Sequence, residues 1–168
     1  WTQVPVGCNS RRGRVAYRPS KAIMVIPLRL LPKQHQFFQA TEREVLFSGA
    51  YGGAKSTALC VKLLRHAAEP GNYVGLCRQT ARSLKSSTLQ TLLEGDAKFP
   101  PVLPRQDDNG EPLYVHNKGL QEISITRGGT IYYFGLDDPE KLGSVPFGAV
   151  AIDEAAEISE KSWMKLSS

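Results

Sequence analysis

No aspartate or glutamate occurs in the first 33 residues of this 168-residue chain. Cysteine is scarce as well. Cys8, Cys60 and Cys77 are widely separated and odd in number, which excludes a disulfide framework and favours a reducing setting. Cys60 and Cys77 fall in segments expected to be buried, where a thiol behaves as a small apolar group. No apolar run approaches the roughly 20 residues needed to cross a membrane. The patch at 22–31 is interrupted by Pro27 and Arg29 and lacks the layout of a signal peptide. The three histidines, His35, His66 and His116, are scattered without metal-ligand spacing and are expected in solvent or in the core. There is no internal repeat. What remains is one domain, or one domain with an arm.

The acid-free stretch holds Arg11, Arg12, Arg14, Arg18, Lys21, Arg29 and Lys33. These are seven of the chain's 21 basic residues, leaving 14 against 16 acidic residues elsewhere. A basic arm suits a polyanion such as DNA, because neutralising phosphates releases counterions; it equally suits a solubilising tail. Residues 1–30 are therefore read as a basic arm, irregular over 1–20 with a short edge strand at 23–28, and residues 31–168 as the folded domain.

Within that domain, Pro32 opens a short helix over 32–39. A strand is expected at 44–48 and a helix at 55–68, where Leu59, Leu63 and Ala67 recur at helical spacing before Glu69-Pro70-Gly71 stops it. A buried strand follows at 73–78, then one helix over 80–93, ended by Gly95. Four prolines and Asp107-Asp108-Asn109-Gly110 make 99–112 a loop. Segments 120–126 and 130–135 alternate around Arg127-Gly128-Gly129, which predicts a β-hairpin with Arg127 exposed at its tip. Residues 147–152 read as a central strand, apolar throughout as a two-sided parallel strand is. A helix is expected from Ala155, packed by Trp163 and Leu166. Arg78, Arg82 and Lys85 are expected on a solvated helix face, the alternative being that they face the site or the DNA. Alternating strands and helices predict an α/β fold with three layers and a mostly parallel central sheet plus the β-hairpin.

Two segments carry chemistry. The first is Leu46-Phe47-Ser48-Gly49-Ala50-Tyr51-Gly52-Gly53-Ala54-Lys55-Ser56-Thr57. A strand turning sharply into a helix presents backbone N–H groups and the helix dipole to an anion. Gly49, Gly52, Gly53, Ala54 and Thr57 belong to the phosphate cradle. Lys55 neutralises the β- and γ-phosphates of ATP, and Ser56 ligates Mg2+. Counting from Gly49, the second glycine of G-x-x-x-x-G-K-[ST] is Ala54, whose methyl group fits if its φ is negative. The second segment is Val150-Ala151-Ile152-Asp153-Glu154, a strand that delivers two acids to the C-terminal edge of the sheet. Asp153 holds the metal and Glu154 polarises the attacking water, since two adjacent roles need two adjacent acids. A helix start capped by Asp153 explains the acids alone, but not the apolar strand leading into them.

Over residues 31–160 the chain resembles the N-terminal ATPase domain of phage large terminase subunits, P-loop motors that package DNA into procapsids. The resemblance rests on Leu31-Pro32-Lys33-Gln34 with Phe37-Phe38, the phosphate loop, and Leu76-Cys77-Arg78-Gln79-Thr80. It also rests on Gly128-Gly129-Thr130-Ile131, the text from Phe134 to Leu142, and Ile152-Asp153-Glu154-Ala155-Ala156-Glu157-Ile158. It implies that Gln34 reads adenine, and that ATP and Mg2+ are bound. It implies double-stranded DNA, a portal protein and a small terminase subunit as partners. A homo-oligomeric ring in the host cytoplasm, without membrane attachment, is implied too. Two departures concern catalysis. Tyr51 stands where many terminases have an arginine in the loop. Gly143-Ser144 stands where many have Arg-Gly before the acidic strand, with Lys141 nearby. Family members continue into a coupling motif, a lid and a nuclease domain, so the resemblance implies a fragment. The competing readings are a helicase-like DNA translocase, and a nucleotide- or DNA-binding module without catalysis.

Overall fold

The computed structural model describes residues 30–49, 52, 54–97, 99–137 and 145–167. The expected arm to residue 29, its edge strand, Cys8, Tyr51, Gly53, Lys141, Gly143 and Ser144 lie outside the described residues.

Helix α1 (Pro32–Gln39) starts on proline, whose missing N–H removes nothing the first turn would bond. Helix α2 (Lys55–Ala67) buries Ala58, Cys60, Val61, Leu63, Leu64 and Ala67. It ends where Asn72 Nδ2 donates to the His66 carbonyl at 2.9 Å, satisfying an acceptor that a helix end leaves open. α1 lies along α2: Lys62 Nζ donates to the carbonyls of Phe37 and Ala40, at 2.9 and 2.6 Å.

Strand β1 (Tyr73–Arg78) is followed by α3 (Ala81–Lys85) and α4 (Thr88–Leu93), then by strands β2 (Tyr114–Asn117), β3 (Glu122–Ile125), β4 (Thr130–Gly135) and β5 (Ala149–Ile152). They form a five-stranded open mixed sheet in the order β2-β3-β4-β1-β5. β1 pairs in parallel with β4 and β5, and β2, β3 and β4 form an antiparallel meander. Helix α5 (Glu160–Ser167) closes the described chain.

Side-chain alternation sorts these strands into two apolar faces. Val74, Leu76, Ile131, Tyr133 and Ala151 join the buried residues of α2, α3 and α4. Cys77, Phe134, Tyr132, Val150 and Ile152 form a second cluster with Leu166 of α5. Helices α2, α3 and α4 cover one face, and Leu166 of α5 packs against the other. Leu166 packs as expected, whereas Trp163 is 38% exposed.

Several expectations are corrected. Residues 44–48 form no strand. They run beside α1, where Phe47 stacks on Phe37 at 4.8 Å between ring centroids, and no described strand supplies a ladder for them. The strand at 147–152 is shorter and, among the described residues, lies at the sheet edge, paired with β1 alone. The single helix over 80–93 is two helices, broken at Ser86 and Ser87. The Oγ of Ser86 and of Ser87 donates back to the Ser83 carbonyl, at 3.3 and 2.6 Å, in competition with the helical ladder. After β5 comes a 3-10 turn, Ala155–Glu157, before α5 begins. β2 was not anticipated.

Cys60 and Cys77 are both buried free thiols. Burial pushes the Cys60 thiol up to about 12, with the negative charge of Asp153 adding to the effect, and burial raises Cys77 as well. The thiolate is the reactive form, so neither cysteine should be alkylated by iodoacetamide at pH 8 until the chain is denatured. Mass spectrometry of the two peptides reads this directly.

Candidate functional site

Parallel strands end their runs together, and the C-terminal edge of β1 and β5 gathers Arg78, Asp153 and Glu154. The ladder continues one residue past β5, with the Asp153 amide donating to the Cys77 carbonyl at 2.9 Å. This fixes where the first carboxylate stands. Facing it is the N-terminus of α2, whose first intrahelical bond runs from the Ala58 amide to the Ala54 carbonyl at 3.1 Å. The amides of the first turn precede that bond, and the turn itself contains no acidic residue. The carboxylate that meets this positive helix end is that of Asp153, through Ser56.

Ser56 Oγ donates to Asp153 Oδ2 at 3.0 Å, joining residues 97 positions apart. The same oxygen accepts from Thr88 Oγ1 at 2.5 Å. Thr88 is fully buried and Asp153 is 8% exposed. Lys55 Nζ turns back onto the Gly49 carbonyl at 3.0 Å. A Cβ built on Gly49 or Gly52 meets nothing within 4 Å, so crowding does not require glycine at either position. Gly52 has φ +78°, which glycine tolerates.

Ala54 does not meet the condition of a negative φ under which its methyl group fits. It sits in the left-handed region at φ 50°, where a Cβ crowds the following carbonyl. Ala54→Gly should raise stability by about 1 kcal/mol, restoring the residue type that this conformation favours. Urea denaturation at constant m-value measures it.

Glu154 is also left-handed, at φ 53°, and its carboxylate forms an ion pair with the Arg78 guanidinium. Arg78 Nη1 donates to Ser87 Oγ at 2.7 Å, and Nε lies 3.7 Å from a Glu157 oxygen. Arg78 is thus a partly buried clamp at the end of β1, not a solvated helix residue as expected. The hydrogen bond that a protonated Glu157 carboxyl donates to Glu154 raises Glu157 above its ordinary value, desolvation and the Glu154 charge add to this, and Arg78 opposes it. The folded chain therefore favours protonated Glu157, an effect present at low pH and lost as pH rises through the raised value.

Gln34 is buried in α1, and its Oε1 accepts from the Leu31 amide at 2.9 Å, capping the first turn. Thr57 lines a small cleft of about 260 Å3 with Ser87, Thr91, Asp96 and Pro100. A larger cleft, about 900 Å3, lies between α4 and β2, bordered by Lys85, Arg105, Tyr114 and His116; neither the loop nor the acid pair reaches it.

The structure therefore brings Ser56 and Asp153 together, and hands Glu154 to Arg78. Sequence reasoning did not single out Thr88; the run Ser86-Ser87-Thr88, rich in side chains that compete with helical bonding, was the available signal. Among the described residues no group of three or more His, Cys, Asp and Glu could form a metal cage. One hydroxyl and one carboxylate, both hard oxygen ligands, suit Mg2+, which keeps waters and takes substrate phosphates as further ligands. Among the described residues no helix is long and apolar enough to cross a membrane. Comparisons with models of known protein families, with curated proteins and with solved structures find no match to this chain.

Proposed function

We propose that this chain binds Mg-ATP between the N-terminus of α2 and the end of β5, as a P-loop ATPase domain. The observation that carries this reading is the Ser56–Asp153 hydrogen bond at 3.0 Å. It joins the residue after the loop lysine to the first acid of an apolar strand, at the sheet edge where α/β folds take ligands. Lys55 leaves the Gly49 carbonyl for the β- and γ-phosphates, and the first-turn amides of α2 hold their oxygens. Ser56 and Asp153 would hold Mg2+, which supplies charge neutralisation on the phosphates when bound. Glu154 orients the water that attacks the γ-phosphate and accepts its proton, once its carboxylate is released from Arg78.

The sequence resemblance supports a role in DNA packaging. We propose a viral large-terminase motor domain acting on double-stranded DNA, with a portal protein, a small terminase subunit and further copies of itself, in the host cytoplasm. A second reading, a nucleotide-binding module without turnover, is favoured by one observation: Glu154 is held by Arg78, facing away from a free base role. Lys55→Ala should weaken binding of a fluorescent ATP analogue by about 10- to 100-fold, the worth of one charge-assisted contact of 1.5–3 kcal/mol. Unchanged affinity sinks the site assignment. Phosphate release stimulated by double-stranded DNA separates motor from module, and strand separation without packaging partners would favour a helicase-like translocase.

A further inference from the structure

We infer that Thr88 is a positioning residue, holding the Asp153 carboxylate in the orientation that binds the nucleotide-associated cation. The inference rests on the Mg-ATP reading of this site. Three observations carry it. Thr88 is fully buried, yet its hydroxyl is directed at a carboxylate on another element. It shares Oδ2 with Ser56, so the two hydroxyls hold the same oxygen, while Oδ1 accepts from the Glu154 amide at 3.2 Å. Thr88 also opens α4 directly after the break that the neighbouring serines create. A continuous helix from α3 would carry this residue on a different course; the break sets its hydroxyl against the acid.

A carboxylate held from several sides keeps one rotamer, and a fixed rotamer lowers the cost of ordering the ligand when the cation arrives. Ser56 is itself proposed to hold the cation. When its hydroxyl turns to the metal, Thr88 remains as the side-chain donor on Asp153. The geometry therefore gives Thr88 its greatest effect in the loaded state.

The test is equilibrium binding of a fluorescent ATP analogue to the full chain, in excess Mg2+ and in EDTA. The ratio of the two affinities measures the gain contributed by the metal. Thr88→Val removes the hydroxyl at nearly constant volume and should cut that gain about tenfold, as loss of a supporting partner does at metal sites. Affinity in EDTA should stay unchanged, and Thr88→Ser should restore the gain. Thr91→Val removes a hydroxyl one turn along α4 that bonds only the Ser87 carbonyl, at 3.2 Å, and should leave the ratio unaltered. Thr88→Ala replaces the valine variant if valine prevents folding. A wild-type gain in Thr88→Val or Thr88→Ala overturns the inference and leaves the ATP reading standing. No binding by the wild-type chain overturns both. Equal losses with and without Mg2+ show a purely structural hydroxyl and overturn the inference alone.

Discussion

Glu154→Gln should lower ATP turnover by about two to four orders of magnitude, the typical contribution of a positioned general base. The amide keeps the shape of the side chain and can still orient water, but it cannot take up the proton. Stability should barely change. Glu154 is about half exposed, so solvent screens its end of the pair with the partly buried Arg78, and solvent-screened pairs contribute about 0–1 kcal/mol. Arg78 also keeps Ser87 and Glu157 as partners. Binding of Mg-ATP should persist, because Lys55, Ser56 and Asp153 are untouched. The measurement is single-turnover hydrolysis alongside analogue affinity on the same preparation. Equal rates for the variant and wild type would remove Glu154 from the chemistry and reduce it to a left-handed turn residue.

Gly129→Ala should unfold the chain or cost about 3 kcal/mol or more, the upper end for overpacking against atoms that cannot yield. The hairpin tip docks under the connection between α2 and β1. The Gly129 amide donates to the Ala67 carbonyl at 2.8 Å, and the Thr130 amide to the Asn72 carbonyl at 2.9 Å. A methyl group on Gly129 would run into the backbone of Asn72. Backbone held from both sides has nowhere to move, unlike a flexible side chain. Thermal unfolding followed by circular dichroism tests this, and a melting temperature equal to wild type would contradict the docking. Asn72 also caps α2 through His66, so the damage should spread into the helix that begins at the phosphate loop.

Much of the fold was legible because its punctuation is local. Pro32, the Glu69-Pro70-Gly71 stop and the helical spacing of Leu59, Leu63 and Ala67 fix α1 and α2. The run from Tyr73 to Arg78 is apolar on both sides, as a buried parallel strand requires. Failures arose where the outcome depends on neighbours. Residues 44–48 have strand-like composition, but a strand needs a ladder partner, and no described strand provides one. β2 escaped notice because Tyr114-Val115-His116-Asn117 alternates only weakly and lies at the sheet edge, half in solvent. At the site, Ser56 and Asp153 could be paired in advance by their segments, because loop and strand-end chemistry depends on residue type. The conformation of Ala54, the clamp of Arg78 on Glu154 and the approach of Thr88 could not. Each depends on where a chain break or a neighbouring strand end lies in space.

Asp153 Oδ2 draws its two donors from positions 97 and 65 residues upstream. Contacts of such span form only after long loops have closed, at an entropic cost that local helices do not meet. The turns of α2 rest on bonds within one segment, but the oxygen pair proposed to meet the cation appears only when the sheet has registered and α4 has docked. A ligand that requires this pair selects finished molecules from half-formed ones. By mass action it then deepens the native basin in proportion to its own concentration. Nucleotide supply in the surrounding fluid would thus set the lifetime of the folded chain as well as the speed of its chemistry.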